Sequence, residues 1–400
     1  MTDTQGTEPN SGAGRSPGAA GFGARRDTVN RGAVNRGLAN RGAVNRGAVT
    51  TLDRARHILH TQLEADFCQA PGSISRALEE LRDYPEAESL PLLATVQPPS
   101  EKMGAARRRN DDIWELRVAN YASVGILCAK HPRVLEKAID YMLGDQSNWL
   151  GDYAQLRQLN ELLTPYTQQV SGTSIYYTPG RALLNSVVPE GVQAQEVKCA
   201  VPGVGMMRRV DPAELKAALL AEITGERTIR REANASAGAL EVDPEDTEAR
   251  VTHLRVELLD AEQIESFRGD KRYSNALGFS ERRPDVLVLA AYPVDEDASD
   301  APVAGERAPA HADPIAMVGL SDDSPIMRQI GIDVLPAWRG AGIASVLVRD
   351  AARLTLAEGY LPFYGTSPSH MLSQRVAMNA GLVPTWWEYV STSLNDLPMD

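Results

Sequence analysis

The run Ile332-Asp333-Val334-Leu335-Pro336-Ala337-Trp338-Arg339-Gly340-Ala341-Gly342-Ile343-Ala344 constrains this chain more than any other. The stretch 327–334 reads as a strand, Pro336 as a turn, 339–344 as a glycine loop and 344–358 as a helix. A strand over 361–364, a helix over about 369–380 and a strand over 385–392 follow. Gly340 and Gly342 let successive amide hydrogens converge without a β-carbon in the way. The helix behind them presents its unpaired amides and positive dipole end to the same point, and Arg339 adds a formal charge. A pyrophosphate is the guest such a loop suits. Neither nucleotide fingerprint fits: no third glycine stands three residues after Gly342, and the loop does not end in Gly-Lys-Ser/Thr.

The rest of the 400 residues divides on composition. Residues 1–49 hold few large apolar groups and repeat VNRGA, VNRGL, ANRGA, VNRGA from Val29. Four short units cannot stack into a solenoid, so this is a disordered low-complexity tail with a pentapeptide-type interaction segment as the rival reading. Residues 50–222 form an amino-terminal α/β region: helices over 51–65 and 73–82, a loop over 85–109, strands at Trp114–Ala119 and Ser123–Cys128, helices from Pro132 and Tyr153, and a closing strand at Tyr176–Pro179. Asp211-Pro212-Ala213-Glu214 starts a further helix. A polar linker occupies 223–252, and a second domain fills 253–400, with an exposed insertion over 293–314.

Charge and cysteine content narrow the function classes. The net charge of −12 combines +4 on residues 1–50 with −16 on the remainder. An acidic body disfavours nucleic acid and favours a cationic or small-molecule partner. No apolar run crosses a bilayer and no secretory leader opens the chain, so the reading is cytoplasmic, without a membrane partner. Cys68, Cys128 and Cys199 are too scattered for a disulfide framework or a zinc site, and no metal is expected. His57 and His60 are three apart on a helix but lack further ligands nearby.

The run 332–344 resembles the signature of the GNAT superfamily of acyl-CoA-dependent N-acyltransferases, Arg/Gln-x-x-Gly-x-Gly/Ala, met by Arg339, Gly342 and Ala344. Ser373 to Leu382 is similar to that family's last helix and its Gly-Phe ending, and the resemblance covers about 253–392. The Trp114–Cys128 strands, the helix after them and the Tyr176–Pro179 strand resemble the front half of larger bacterial members. The resemblance implies an α/β (α+β) fold: a mixed, mostly antiparallel sheet with flanking helices and a central cleft, preceded by a smaller α/β subdomain. It implies acetyl-CoA as co-substrate, bound by Val334, Leu335, Arg339, Gly340, Ala341, Gly342, Ile343 and Ala344. An acetyl group would pass directly to a primary amine of a small molecule or peptide, with a backbone amide near Val334 polarising the thioester.

Departures from the pattern open a second reading. Where many members carry a tyrosine acid, this chain has Ala377, and Leu382 replaces the phenylalanine. Glu388, Asp333 and His370 are the candidate catalytic groups: Glu388 as general base, Asp333 facing the cleft or capping a turn, His370 as a proton carrier where other members often have asparagine. Trp386 and Trp387 point to opposite strand faces, and Asp322 and Asp323 either attract a cationic amine or make a polar turn. Without a clear acid and base, the chain is alternatively a non-catalytic acyl-CoA sensor or scaffold.

Overall fold

The computed structural model describes residues 47–83, 91–97, 106–108, 114–142, 153–170, 172–190, 192, 195–198, 206–209, 211–231, 250–294 and 313–394. The repeat from Val29 as far as Arg46, the 295–312 stretch of the insertion and Cys199 lie outside them. Arg46–Asp400 is one compact unit, divided from Met1–Asn45.

Eleven strands build one sheet: β1 (Leu92–Val96), β2 (Leu116–Tyr121), β3 (Val124–Ala129), β4 (Ser174–Pro179), β5 (Gly225–Arg231), β6 (Arg250–Leu258), β7 (Asp285–Pro293), β8 (Ala316–Ser321), β9 (Met327–Val334), β10 (Leu361–Thr366) and β11 (Leu382–Val390). Their order is β1-β3-β2-β11-β4-β10-β9-β8-β7-β6-β5. Only β1–β3 and β9–β10 pair in parallel, so the sheet is mixed and mostly antiparallel. The helices are α1 (Leu52–Asp66), α2 (Ser73–Asp83), α3 (Pro132–Met142), α4 (Tyr153–Leu163), α5 (Arg181–Asn185), α6 (Pro212–Ile223), α7 (Ala261–Ser266), α8 (Ile343–Ala357) and α9 (Met371–Asn379).

Local chemistry sets the element ends. Asp211 caps α6 by accepting from the amides of Ala213 and Glu214, with Pro212 at the first helical position. Asp260 and Gln263 form a reciprocal capping box at α7. Strand alternation separates two cores. Leu287, Leu289, Val318, Leu320 and Ile330 pack with α8, whereas Val288, Ala290 and Met317 pack with Tyr273, Ala276 and Leu277 on the opposite face. The expected mixed, mostly antiparallel sheet with flanking helices is present, and the smaller α/β part is present as β1–β3 with α3 and α4.

Three features differ from the sequence reading. The expected closing strand of the front half, β4, pairs with β10 on one edge and β11 on the other, while β11 pairs onward with β2. The sheet therefore runs unbroken through both halves. Within the expected linker, Gly225–Arg231 form edge strand β5, and 232–249 lie outside the described residues. Its GERTIRR sequence hides the strand, since Ile229 points to the core while Arg227 reaches the buried carboxylate of Asp350 on α8. Within the expected 85–109 loop, Leu92–Val96 form β1. No helix among the described residues is long and apolar enough to cross a membrane.

The tail boundary also shifts. Ala48 and Val49, assigned to the tail on composition, are buried, and the Val49 amide donates to Leu356 O at 2.8 Å. A chain starting at Arg46 is expected to match the full-length protein in denaturant unfolding. One starting at Thr50 should lose about 2–3 kcal/mol, from the buried valine and its backbone bond. Equal unfolding midpoints for the two truncations would refute that assignment.

Candidate functional site

The middle of the sheet opens where β9 and β10 part. Their parallel register holds only from Met327 to Ile330, while β9 stays paired with β8 as far as Val334. The Leu335 amide donates to Ile315 O, 2.9 Å, which fixes the phase of the strand. Peptide groups alternate sides along a strand, so those of Ile332 and Val334 face away from β8 into the gap. Arg339 Nε reaches Val334 O from that side, at 3.0 Å.

The loop beyond the gap is held from beneath. A 3-10 turn, Pro336–Trp338, leads to extended Arg339, then Gly340 and Gly342 at φ +85° each. Ala341 and Ile343 are buried and anchor the loop to the core. Gly342 caps α8 without any side-chain bond. The amides of Ala341, Gly342, Ile343, Ala344 and Ser345 have no hydrogen-bond partner among the described residues. A β-carbon on Gly342 would meet nothing nearer than Ile229 Cγ2 at 3.7 Å. Glycine is therefore required there by the left-handed backbone, which costs other residues about 1–2 kcal/mol, rather than by crowding within the chain. The unpartnered amides, the helix dipole and the exposed Arg339 suit a diphosphate.

Asp333 faces the other side of the sheet. Its carboxylate accepts from the amides of Asn275 (2.8 Å) and Ala276 (2.9 Å) and from Asn275 Nδ2 (2.7 Å). Of its two sequence readings, cleft base or turn cap, the geometry is that of the cap. The strand beneath explains the approach: on the paired Gly319 and Gly331, a β-carbon would lie 1.9 Å from Ala276 O and from Asn275 O respectively. Only glycine lets segment 275–276 lie on the sheet.

Glu388 lies on that same face by register, but it is buried rather than solvent-facing. Its Oε2 accepts from Arg107 Nη2 at 2.6 Å and Trp386 Nε1 at 3.2 Å, and Tyr176 OH lies 3.5 Å from its Oε1. Arg107 also bonds Asp66 through its Nε and, at 2.6 Å, through its backbone amide. Its guanidinium carbon sits 5.3–5.4 Å from the ring centres of Tyr176, Phe363 and Trp386. Burial alone would lower the Arg107 pKa, but the Asp66 and Glu388 carboxylates outweigh it and hold the pKa well above the usual range. Sequence reasoning missed this cluster. Arg107 belongs to an Arg-Arg-Arg-Asn run that reads as a solvated loop, and its partners lie far away in sequence.

His370 sits at the amino end of α9, exposed, and its ring makes no hydrogen bond to a described residue. Ala377 is fully buried against the core. Trp386 stacks on Tyr176 at 4.6 Å between ring centres, and Trp387 joins Tyr389 on the opposite face. Asp323 takes the turn role: its buried carboxylate accepts from Ser321 Oγ, Arg283 and the Gln329 amide, while Asp322 pairs with Arg108. His60 bonds Ser75 and Tyr121, and no cluster of metal-ligating groups occurs among the described residues.

No protein-family model and no curated protein matches this chain. Solved structures that resemble it include an acetyltransferase from the GNAT family from Colwellia psychrerythraea, 12% identical over 42% of this chain and 56% of that one, with a TM-score of 0.24. A GCN5-related N-acetyltransferase from Kribbella flavida is 12% identical over 58% and 61%, with a TM-score of 0.23. A tandem GNAT protein from the clavulanic acid biosynthesis pathway is 14% identical over 62% and 70%, with a TM-score of 0.24. The fold rests on the strand order and registers above rather than on these likenesses.

Arg107→Ala is expected to destabilise the protein by about 3–5 kcal/mol in denaturant unfolding, since two buried carboxylates lose their shared cation. A loss below about 1 kcal/mol, the range of surface pairs, would mean the cluster is solvated. The His60 pKa is lowered to about 4, by burial first and by Arg56 and His57 next. Between that value and 6.5 the unfolded chain binds the extra proton, so this group's contribution to stability falls as pH drops through that window. His60→Gln should flatten the decline in melting temperature between about pH 6.5 and 5. Parallel declines in variant and parent would assign it to other groups.

Proposed function

We propose that this protein transfers an acyl group, most simply acetyl, from acyl-CoA to the primary amine of a small molecule or peptide. The observation that carries the reading is the conjunction of a diphosphate cradle at 339–345 with a gap between β9 and β10 into which the Ile332 and Val334 peptide groups point. A diphosphate held by the loop leaves the adjoining arm to run along the strand edge, past Leu335 and Val334. Bound there, acyl-CoA supplies an activated thioester carbonyl. The Val334 amide is placed to donate to that carbonyl oxygen as charge develops on it.

The chain's remaining task is to hold the amine and accept its proton. His370 is the group we assign to proton movement, because its ring is exposed and uncommitted beside the end of β10. Asp333 and Glu388 act in this reading by shaping the acceptor face: one clamps segment 275–276 and the other fixes Arg107 with Tyr176 and Trp386. The commitment of both carboxylates also favours a second reading, an acyl-CoA sensor without turnover. Thiol release across a broad panel of amines separates the two, and acetyl-CoA binding without release from any amine favours the sensor.

Gly342→Val should weaken acetyl-CoA binding at least about a hundredfold. Forcing the chain out of the left-handed region turns away two or three amide donors, each contributing about 1.5–3 kcal/mol to a charged oxygen. Arg339→Ala should be milder, because an exposed charge is screened. Calorimetric titration with acetyl-CoA, with thermal melts to confirm folding, measures both. Parental affinity in folded Gly342→Val would reduce the loop to a turn. His370→Gln should lower kcat about a hundredfold or more while leaving acetyl-CoA affinity intact. Unchanged turnover would remove His370 from the chemistry.

A further inference from the structure

Tyr364 is the last residue of β10 still in register with β9, opposite Ile330. The two strands run the same way, so the gap opens toward the carboxy ends of both, and α9 begins five residues past the end of β10. The Tyr364 hydroxyl lies 2.7 Å from Ser373 Oγ in the first turn of that helix. Tyr177 stands opposite Tyr364 on β4, and its hydroxyl donates to Gln374 Oε1 at 3.0 Å. Two phenols thus meet the amino end of α9, side by side at the fork.

Their protons are used differently. A hydroxyl has one proton to give, and that of Tyr177 goes to Gln374. Tyr364 and Ser373 have two between them, and their mutual bond uses one, whichever oxygen donates. Neither oxygen has another partner among the described residues. One O–H is left over, at a tyrosine only 5% exposed. A buried donor without an acceptor is costly, and a guest that accepts from it recovers that cost.

Resting on the acyl-CoA reading above, we propose that the Tyr364 hydroxyl donates a hydrogen bond to the CoA sulfur as it leaves, while Ser373 Oγ donates to the Tyr364 oxygen from behind. An arm that runs down β9 from the glycine loop past Val334 points its thioester at this fork. In the transfer a C–N bond forms, the C–S bond breaks, and its electron pair stays on sulfur. The nitrogen gives up one proton through His370 and solvent, and the sulfur takes one up from solvent. Tyr364 keeps its own. Burial raises its pKa above the ordinary value and the Ser373 bond opposes, while Asp333 and Tyr177, its titratable neighbours, raise it further. A thiol titrates near about 8.5, so the shared proton stays on the phenol and the hydroxyl acts by stabilising charge on sulfur.

The test needs no acceptor amine. CoA carries a free thiol and acetyl-CoA does not, so their relative affinity isolates the sulfur from every other titrating group. Calorimetric titrations of the full chain with each compound, between about pH 6.5 and 9.5, give that ratio. A tenfold preference for thiolate lowers the bound thiol's pKa by about one unit, so CoA affinity relative to acetyl-CoA should rise about tenfold across this range. In Tyr364→Phe, which keeps the buried ring, the ratio should stay flat while acetyl-CoA affinity remains parental. Tyr177→Phe should retain the rise. A flat ratio in the parent, a rise that survives in Tyr364→Phe, or an equal loss in both variants would overturn the proposal. Failure of the parent to bind either compound is a different result: it would sink the acyl-CoA reading, and this assignment with it.

Discussion

Strand β4 is hydrogen-bonded along both edges to strands from the far end of the chain, and that double pairing is what the rest of the molecule hangs on. Tyr177 faces Tyr364 on one side, and Tyr176 faces Trp386 on the other. Side chains reinforce the ladder. Tyr177 OH donates to Gln374 on α9 at 3.0 Å, and the Tyr176 ring stacks on Trp386 over Gly365, where any β-carbon would lie 2.7 Å from the ring. Arg107 then sits among those rings and joins α1 to β11 through Asp66 and Glu388. A guanidinium between two buried carboxylates makes demands no apolar residue would: removing any one member strands the charge of another.

The gap beside β10 follows from this arrangement together with the clamp on β9. Beyond Ile330, β9 is held by β8 on one edge and by Asp333 reaching segment 275–276 across one face. Strand β10 is held instead by β4. Each strand thus has a neighbour of its own, and the two separate where a shared register would otherwise continue. The same separation leaves two peptide groups of β9, those of Ile332 and Val334, facing away from β8 just ahead of the glycine loop. Structure and candidate chemistry meet at one break in one ladder.

Much of the carboxy-terminal part was legible in the sequence because its signals are local. The alternation of 327–334, the glycines at 340 and 342 and the Asp260 cap each act within a few residues. The loop therefore appeared with nearly its observed boundaries. The strand exchange was not legible, since an apolar Tyr-Tyr strand looks the same whether it closes its own half or enters the other. Strand β5 was hidden by its arginines. Arg107 was hidden by the basic run it opens, Arg107-Arg108-Arg109, which reads as a solvated loop. Glu388 looked like an exposed charge because its partner lies 281 residues away in sequence. Asp333 was legible only as a choice between two roles, which the position of Asn275 decides.

The exchange of β4 and β11 also sets a timetable for synthesis. Tyr176 emerges from the ribosome 212 residues before Glu388, the residue its hydroxyl approaches. Until β10 is made β4 has neither of its sheet neighbours, and until β11 follows β4 and β2 each lack a partner on one edge. A chain built as two independent domains finishes its first half while the second is still being made, but this one cannot. Its strands wait with open edges, and the central ladder closes only when nearly the whole chain is available. Contacts of such sequence separation are slow to form and expose unpaired strand edges meanwhile. Strand edges left open during synthesis are the burden this topology carries.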